Sequence, residues 1–198
     1  MKLKISEIAN IQTGVVLSRK EAKKDQEIIQ KYQRLTIKAL GNDGFINKEE
    51  LEDYNAKQKI DEGQTTHKGD IVLRLFSPLC PVLIDEETEG FVVPSQLAVL
   101  KVGNKDVVLP SYLRWYLSQN EIQERVLFEE GGTAQKTIKV ATIMDLLVRV
   151  PDIETQKTII RIESLSRKRE KLYKELIVQE RIFTERIIKK IIGGIKND

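Results

Sequence analysis

The chain has 198 residues, of which 40% are hydrophobic and 32% are charged. A run of about eighteen apolar residues, which a transmembrane helix needs, does not occur, and the N-terminus lacks the apolar core of a signal peptide. The single cysteine, Cys80, cannot form an internal disulfide, so we expect a reducing cytoplasm. We therefore expect no transmembrane helix and no disulfide framework, and the length allows one domain with a substantial core.

Charge is unevenly distributed, although the net charge is only +3. Residues 153–192 carry 11 Lys+Arg against 6 Asp+Glu, which gives +5. Residues 1–152 carry 21 Lys+Arg against 23 Asp+Glu, which gives −2, and residues 193–198 carry one charge of each sign. The N-terminal part is therefore not a generic polyanion binder. Any contact with nucleic acid would use a local patch or a more basic partner.

The first seventy residues predict short elements separated by polar turns. The stretch from Lys4 to Ile11 favours a short strand or a helical turn, and the alternation from Tyr32 to Ile37 predicts a strand. The charged stretch from Arg19 to Asp25 is a solvated loop or, alternatively, a phosphate-contacting loop. The polar, acidic stretch from Lys48 to Ile60 favours a short helix or a surface excursion.

Two apolar runs predict buried strands, one from Ile71 to Phe76 and one from Gln96 to Val102. Between them, Pro81 to Ile84 and Gly90 to Val93 predict a hairpin about the acidic turn Asp85-Glu86-Glu87. This part of the chain therefore indicates a β-rich domain.

Helical patterns follow. Pro110-Ser111 is a typical helix start. The aromatic residues Tyr112, Trp115 and Tyr116 are candidates for a base-stacking platform, but their helical spacing beside leucines favours a place in the core. The remaining predicted elements are helices over Glu121–Phe128 and Val140–Leu146 and a strand over Leu147–Val150.

The longest predicted element is a helix from Ile153 to Ile192, with Asp152 as its N-cap and Gly193-Gly194 as its stop. Such a helix is about 60 Å long at about 1.5 Å per residue. Its apolar residues recur at steps typical of a helix that pairs with another helix, although Arg169 and Glu180 interrupt them. We name this row the seam and expect it to be a dimer interface: Ile162, Leu165, Leu172, Leu176, Phe183, Ile187 and Ile191. The helix is either a dimerisation element alone or a ruler between two recognition domains.

Motifs for catalysis and cofactor binding are absent from the sequence. His67 is the only histidine, and its polar turn favours a surface histidine over a member of a hydrolase triad. There is no His-x-x-x-His pair, no phosphate-binding Gly-x-x-x-x-Gly-Lys loop and no dinucleotide fingerprint. Nothing in the sequence therefore marks a catalytic residue, and we expect no metal site and no cofactor.

The loop from Gly131 to Thr137 has the composition of a nucleic-acid contact. Its glycines permit close approach of the backbone, and Thr133, Gln135 and Lys136 supply donors for phosphates and base edges. The alternative is an ordinary polar loop.

Several stretches, in this order, resemble the target-recognition domain of type I restriction–modification specificity (S) subunits. The last of them leads into the long helix, and together they span nearly the whole chain. They are Gly69-Asp70-Ile71-Val72-Leu73-Arg74, Val93-Pro94-Ser95-Gln96-Leu97-Ala98-Val99-Leu100, Leu109-Pro110-Ser111-Tyr112-Leu113-Arg114-Trp115-Tyr116-Leu117, Gly132-Thr133-Ala134-Gln135-Lys136 and Val150-Pro151-Asp152-Ile153-Glu154-Thr155-Gln156-Lys157.

The resemblance implies an α+β fold, with a β-rich target-recognition domain over residues 1–150 and a long helical spacer and dimerisation region over residues 151–198 that pairs as a coiled coil. It implies a non-catalytic subunit that binds half of a split target in double-stranded DNA and docks methyltransferase (M) and possibly restriction (R) subunits. A full S subunit has two recognition domains and two long helices that pair antiparallel. This chain holds one of each and resembles a half-length S subunit, so we expect a homodimer and an inverted-repeat target.

Seven residues are our candidates for DNA contact. Arg74 has an alternative role at the edge of the core, since its strand is otherwise apolar. Two other functional classes stay open: a coiled-coil interaction protein that binds no DNA, and an enzyme with an unmarked nuclease site. The candidates are Arg19, Lys20, Arg74, Gln96, Thr133, Gln135 and Lys136.

Overall fold

A computed structural model describes the chain except for residues 24–25, 42, 132–136 and 195–198, and describes only the backbone of residues 171 and 194. Within these limits the chain forms eight β-strands and six α-helices. In chain order they are β1 Lys2–Lys4, α1 Ile5–Ile8, β2 Ala9–Thr13, α2 Leu17–Lys20, β3 Gln30–Arg34, β4 Glu52–Ala56, β5 Ile71–Arg74, β6 Val82–Leu83, β7 Leu97–Val102, α3 Pro110–Leu117, α4 Asn120–Glu129, α5 Val140–Met144, β8 Leu147–Arg149 and α6 Ile153–Gly194.

A four-stranded antiparallel sheet in the order β2-β7-β5-β6 lies at the centre of the N-terminal part. Its two middle strands are covered on both faces, which explains why their sequences are apolar runs rather than alternating patterns. On β5, Ile71 and Leu73 belong to one core cluster and Val72 to another. On β7, Leu100 belongs to the first of these clusters and Val99 to the second. The predicted buried strands are thus confirmed.

Different elements cover the two faces of this sheet. Helices cover the first face, where Ile5 of α1, Leu113 of α3 and Ile143 of α5 are fully buried. Connecting segments cover the second face, with Leu40 and Phe91 among the buried side chains. One β-rich body with helices on one side results, which confirms the predicted α+β class.

The expectation of a helix or surface excursion over Lys48–Ile60 was wrong in its main part. Only a 3₁₀ turn at Lys48–Glu50 is helical, and β4 pairs antiparallel with β3. The reason is that Tyr54 and Ala56 both point into a third core cluster and are almost completely buried. The Tyr54 hydroxyl donates to the carbonyl of Leu17 at 2.8 Å, so this strand also supports α2.

The predicted hairpin between Pro81–Ile84 and Gly90–Val93 is also wrong. Its first arm, β6, pairs with β5, where Ile71 lies opposite Leu83. Val92 in its second arm makes isolated bridges to Arg34 and Thr65 instead. The acidic turn is present as a 3₁₀ turn at Glu86–Thr88, but the two segments that flank it pair with other parts of the chain rather than with each other.

The start of the chain pairs with the segment before α6. β1 and β8 are antiparallel, and Lys2 lies opposite Arg149. The chain forms two compact units, Met1–Ile160 and Arg161–Asp198, so the first turns of α6 belong to the first unit. The functional division between residues 150 and 151 stays a prediction.

Candidate nucleic-acid interface

The turn that precedes β7 brings several chain segments together at one end of the central sheet. The backbone carbonyl of Gln96 accepts from Leu75 N at 3.0 Å, and Ser95 N donates to the carbonyl of Val15 at 2.9 Å. A Cβ atom at Gly14 would lie 2.2 Å from the Val93 carbonyl oxygen, so only glycine permits this approach. The Gln96 side chain is exposed at this turn, as a DNA-contacting residue requires.

The segment that follows the glycine-containing loop lies at the same end of the sheet. Residues 132–136, and with them the candidates Thr133, Gln135 and Lys136, lie outside the described residues. The flanking residue Thr137 bridges to Phe76, and Ile138 N donates to the carbonyl of Leu75 at 2.8 Å. The loop therefore returns to the chain beside the end of β5, next to the turn that carries Gln96.

Arg74, the last residue of β5, is held by the protein itself. Its Nη2 atom donates to the carbonyl of Ile37 at 2.9 Å and to that of Leu40 at 2.5 Å. Its guanidinium carbon lies 5.8 Å from the centre of the Phe76 ring. These contacts show a structural role that ties the segment around Leu40 to β5, while DNA contact by Arg74 stays a prediction.

Arg19 and Lys20 end helix α2 and differ in their surroundings. Lys20 Nζ donates to Asp61 Oδ2 at 2.8 Å and to Gln64 Oε1 at 3.0 Å. The hydrogen bond and the charge of Lys20 hold the pKa of the Asp61 carboxyl below its ordinary value. The Arg19 side chain is exposed. Of this pair, Arg19 has the side chain more available to a phosphate.

The histidine occupies a structural turn. His67 N donates to Asp70 Oδ2 at 3.0 Å, and the imidazole Nδ1 lies 3.7 Å from the same oxygen. Burial raises the pKa of the Asp70 carboxyl, and the nearby Lys101 opposes that effect. Among the described residues, no group of three or more His, Cys, Asp or Glu side chains could hold a metal ion.

The aromatic residues of α3 pack mainly as core. Tyr112 is buried and donates its hydroxyl to the carbonyl of Arg149 at 2.6 Å. Trp115 and Tyr116 are partly buried against the same cluster, with ring centres 5.4 Å and 6.2 Å from that of Tyr112. The interpretation as core is confirmed, and these rings position β8 ahead of α6.

The first turn of α6 is held by two polar side chains. Asp152 Oδ1 accepts from Thr155 N at 2.8 Å, and Oδ2 accepts from Thr155 Oγ1 at 2.7 Å, which confirms the predicted N-cap. These bonds hold the pKa of the Asp152 carboxyl below its ordinary value.

Gln156 is a residue that sequence reasoning did not single out. It is completely buried, accepts from Leu109 N, and donates to the carbonyls of Val107 and Pro151, each at 2.9 Å. It stands in the polar run Glu154–Thr158, so the local pattern gave no signal of its burial, and two of its partners lie 47 and 49 positions away. It ties the start of the long helix to the loop before α3.

Every seam residue of α6 is exposed in the single chain, with exposed fractions from 42% at Ile187 to 64% at Ile162. The helix spans 42 residues, two more than predicted. None of the helices in the described part of the chain is long and apolar enough to cross a membrane. Among the described residues, the helix thus presents an exposed apolar row that is interrupted at Arg169 and Glu180.

Comparisons with known proteins bear on this arrangement. A structure of the HsdS subunit from Thermoanaerobacter tengcongensis matches with a TM-score of 0.64 and 14% identity, over 87% of this chain and 43% of that one. A chain from a structure of the complex assembly and conformational transition of the type I R-M system matches with a TM-score of 0.68 and 13% identity, over 88% and 44%. The type I S subunit from M. genitalium gives 0.50 and 14%, over 83% and 38%.

These likenesses show the fold, and the chain spans less than half of the length of the structures that it matches. A search of the curated proteins found no match. A family model described as the type I restriction modification DNA specificity domain matches residues 1–176, which is most of the 198-residue chain. The chain therefore belongs to the family of type I restriction–modification DNA specificity domains.

Proposed function

We propose that this chain is a non-catalytic DNA-specificity subunit of a type I restriction–modification complex and acts as a homodimer in the cytoplasm. Each copy binds one half of a bipartite target in double-stranded DNA. The dimer positions methyltransferase (M) subunits and, where present, restriction (R) subunits on that target. The observation that carries the proposal is the exposed apolar seam on α6 in a chain that matches the specificity family.

The DNA-facing surface is proposed to lie at the end of the sheet where the Gln96 turn and the glycine-containing loop meet. Gln96 is exposed there, and backbone bonds from Leu75 and Ile138 hold the two segments next to each other. Loops held on a rigid sheet are the usual place for recognition residues. We assign base or phosphate contacts to Gln96, Thr133, Gln135 and Lys136, with Arg19 and Lys20 as flanking contacts and Arg74 mainly as a support.

The homodimer is proposed because the side chains of the seam are exposed in the single chain. Seven large apolar side chains exposed along one helix are costly in water, and a helix of this kind gains most of its stability from packing on a partner. A twofold dimer presents two identical domains, which calls for an inverted-repeat target with an unread spacer.

The methyltransferase is proposed to supply part of the DNA affinity. Residues 1–152 carry a net charge of −2, whereas most of the affinity of a DNA-binding protein comes from phosphate neutralisation by Lys and Arg. The chain alone should therefore retain DNA weakly, and the assembled complex should retain it strongly and with sequence preference.

The second candidate is a coiled-coil interaction protein that binds no DNA, and the same exposed seam favours it. The two functions are separated by incubating the purified chain, with and without its methyltransferase subunit, with a pool of random-sequence duplexes. Our proposal expects a recurring sequence motif in the DNA retained by the assembled complex. A stable assembly that retains no motif would favour the interaction protein, and metal-dependent cleavage by the chain alone would make it a nuclease.

A further inference from the structure

We propose that Arg169 and Glu180, which interrupt the seam, pair with each other between the two copies of α6 and set an antiparallel register. In this register, two residues that lie opposite each other have numbers that add up to about 349, as 169 and 180 do. The inference rests on the proposed homodimer. It names the second copy of this chain as the occupant of the apolar face and the residues that determine how it binds.

The seam follows an 11-residue repeat rather than a heptad repeat. Leu165, Leu176 and Ile187 are separated by 11 residues each, and so are Leu172 and Phe183. Such a repeat corresponds to about 3.67 residues per turn, so two helices paired through it wind slightly right-handed instead of left-handed around each other. Side chains 11 positions apart therefore stay on the same line along the helix.

Arg169 and Glu180 are also 11 positions apart and fall on one line, which Ile191 continues. This line flanks the central line of Leu165 and Leu176 on one side. At about 98° per residue, the positions four residues after each central residue lie about 33° to one side of it. Both charges therefore lie on the same edge of the seam, where an apolar residue is expected, and both are exposed in the single chain.

An antiparallel pair brings these two charges together, and a parallel pair does not. In an antiparallel pair, each edge of the seam faces the same edge of the partner helix, so Arg169 of one copy can meet Glu180 of the other. In an in-register parallel pair, residues of equal number lie at equal height. Arg169 and the partner's glutamate would then be about 16 Å apart along the axis at about 1.5 Å per residue, which leaves charges in the apolar seam without a partner.

The same register also pairs the apolar residues. Leu172 lies near Leu176 of the other copy, since their numbers sum to 348, and Leu165 lies near Phe183 with the same sum. The twofold axis then crosses the helix near residue 174.

The extent of the helix over the described residues is compatible with this register. α6 runs from Ile153 to Gly194, so its midpoint lies between residues 173 and 174. Residues 155 and 194 lie opposite each other because they sum to 349. The register chosen by two charges thus aligns the two helices over almost their full length, whereas a shift by one seam position separates the charges and shortens the overlap.

Charge reversal in the full-length chain tests the pairing. Arg169→Glu alone and Glu180→Arg alone are each expected to raise the dimer dissociation constant by at least about tenfold, because each places two like charges together twice per dimer. The double variant R169E/E180R is expected to return it to within about threefold of the wild-type value. Analytical ultracentrifugation measures all four chains. A wild-type dimer that neither single change weakens would overturn the register while leaving the homodimer intact.

Cysteine cross-linking provides a second test that does not depend on charge. A mixture of Leu165→Cys and Phe183→Cys chains is expected to form a disulfide-linked dimer on oxidation, whereas each variant alone is expected to form little. The wild-type chain controls for the native Cys80, which is buried. Linkage of Leu165→Cys chains to each other would show a parallel pair and overturn the inference. A wild-type chain that sediments as a monomer at high concentration would instead overturn the proposed homodimer and this register together.

Discussion

The domain and the long helix use the same residue types in opposite surroundings. In the domain, Leu73 and Leu100 are completely buried, whereas on α6 Leu165 and Phe183 are 61% and 62% exposed. The domain covers its own apolar surface with helices on one face of the central sheet and connecting segments on the other. The helix has the spacing to bury its apolar row against a second helix, as we propose. We infer from this difference that the domain folds on its own core and that the helix depends on assembly.

The largest effect is expected from substitutions that directly disrupt the proposed pairing of two α6 helices. Replacing Leu172 and Leu176 together by Asp should give monomers, weakening the dimer by at least about 100-fold, because four carboxylates would have to be buried in the interface. Light scattering coupled to gel filtration measures the mass. Val178→Asp is the matched control, since Val178 is also exposed but lies on the opposite side of the helix. A dimer that survives the double change but not the control would move the interface to the other face.

The same substitution in the two regions sharpens the contrast. Leu100→Ala should lower the free energy of unfolding of the domain by about 2–5 kcal/mol, as is typical for a cavity in a core. Leu165→Ala should change it by less than about 0.5 kcal/mol and instead weaken the dimer. Urea unfolding followed by the fluorescence of Trp115, the only tryptophan, reports on the domain. Equal losses of domain stability would contradict the division into a self-sufficient domain and a dependent helix.

A smaller and more specific effect is expected at the proposed DNA surface. Lys136→Ala should weaken DNA retention by the assembled complex by about 1–2 kcal/mol, as is typical for a lost contact to a phosphate or base, with unchanged domain stability. Lys105→Ala is the control, because Lys105 is exposed beyond the other end of β7. Retention that stays unchanged in the Lys136 variant would remove the glycine-containing loop from the DNA surface.

The smallest effect concerns the cap between the two regions. The pKa of Asp152 is lowered in the folded chain, so its carboxylate stabilises the fold above the ordinary aspartate pKa and loses this effect as the pH falls through the lowered value. Asp152→Asn keeps an acceptor for Thr155 but does not titrate. The stability difference between wild type and variant should therefore change as the pH falls below the ordinary aspartate pKa, which thermal unfolding across pH measures. A difference independent of pH would contradict the role of the charged cap.

Local sequence patterns were sufficient to predict the elements that depend mainly on their own residues. The α6 helix, its Asp152 cap and the two buried central strands were predicted from spacing and apolar runs. β4 was missed because its stretch is mostly polar and only Tyr54 and Ala56 reveal an inward face. The hairpin was wrong because Val92 pairs with segments far away in the chain, and local turn signals carry no information about such pairing.

The candidate site was predictable as a set of segments but not as an arrangement. The Gln96 turn and the end of the glycine-containing loop meet only because Leu75 binds both through its backbone. The partners of Arg74 are backbone carbonyls more than thirty positions away, so its support role was no more than an alternative in the sequence. Gln156 was overlooked for the same reason.

The symmetry of the DNA target tests the central claim most directly. Sequencing the duplexes that the assembled complex retains from a random pool should show two identical half-sites, inverted with respect to each other and separated by a spacer of constant length and variable sequence. That result is what two identical domains on a twofold helix pair require. A single half-site, or two different half-sites, would contradict a homodimer that reads DNA with both of its domains.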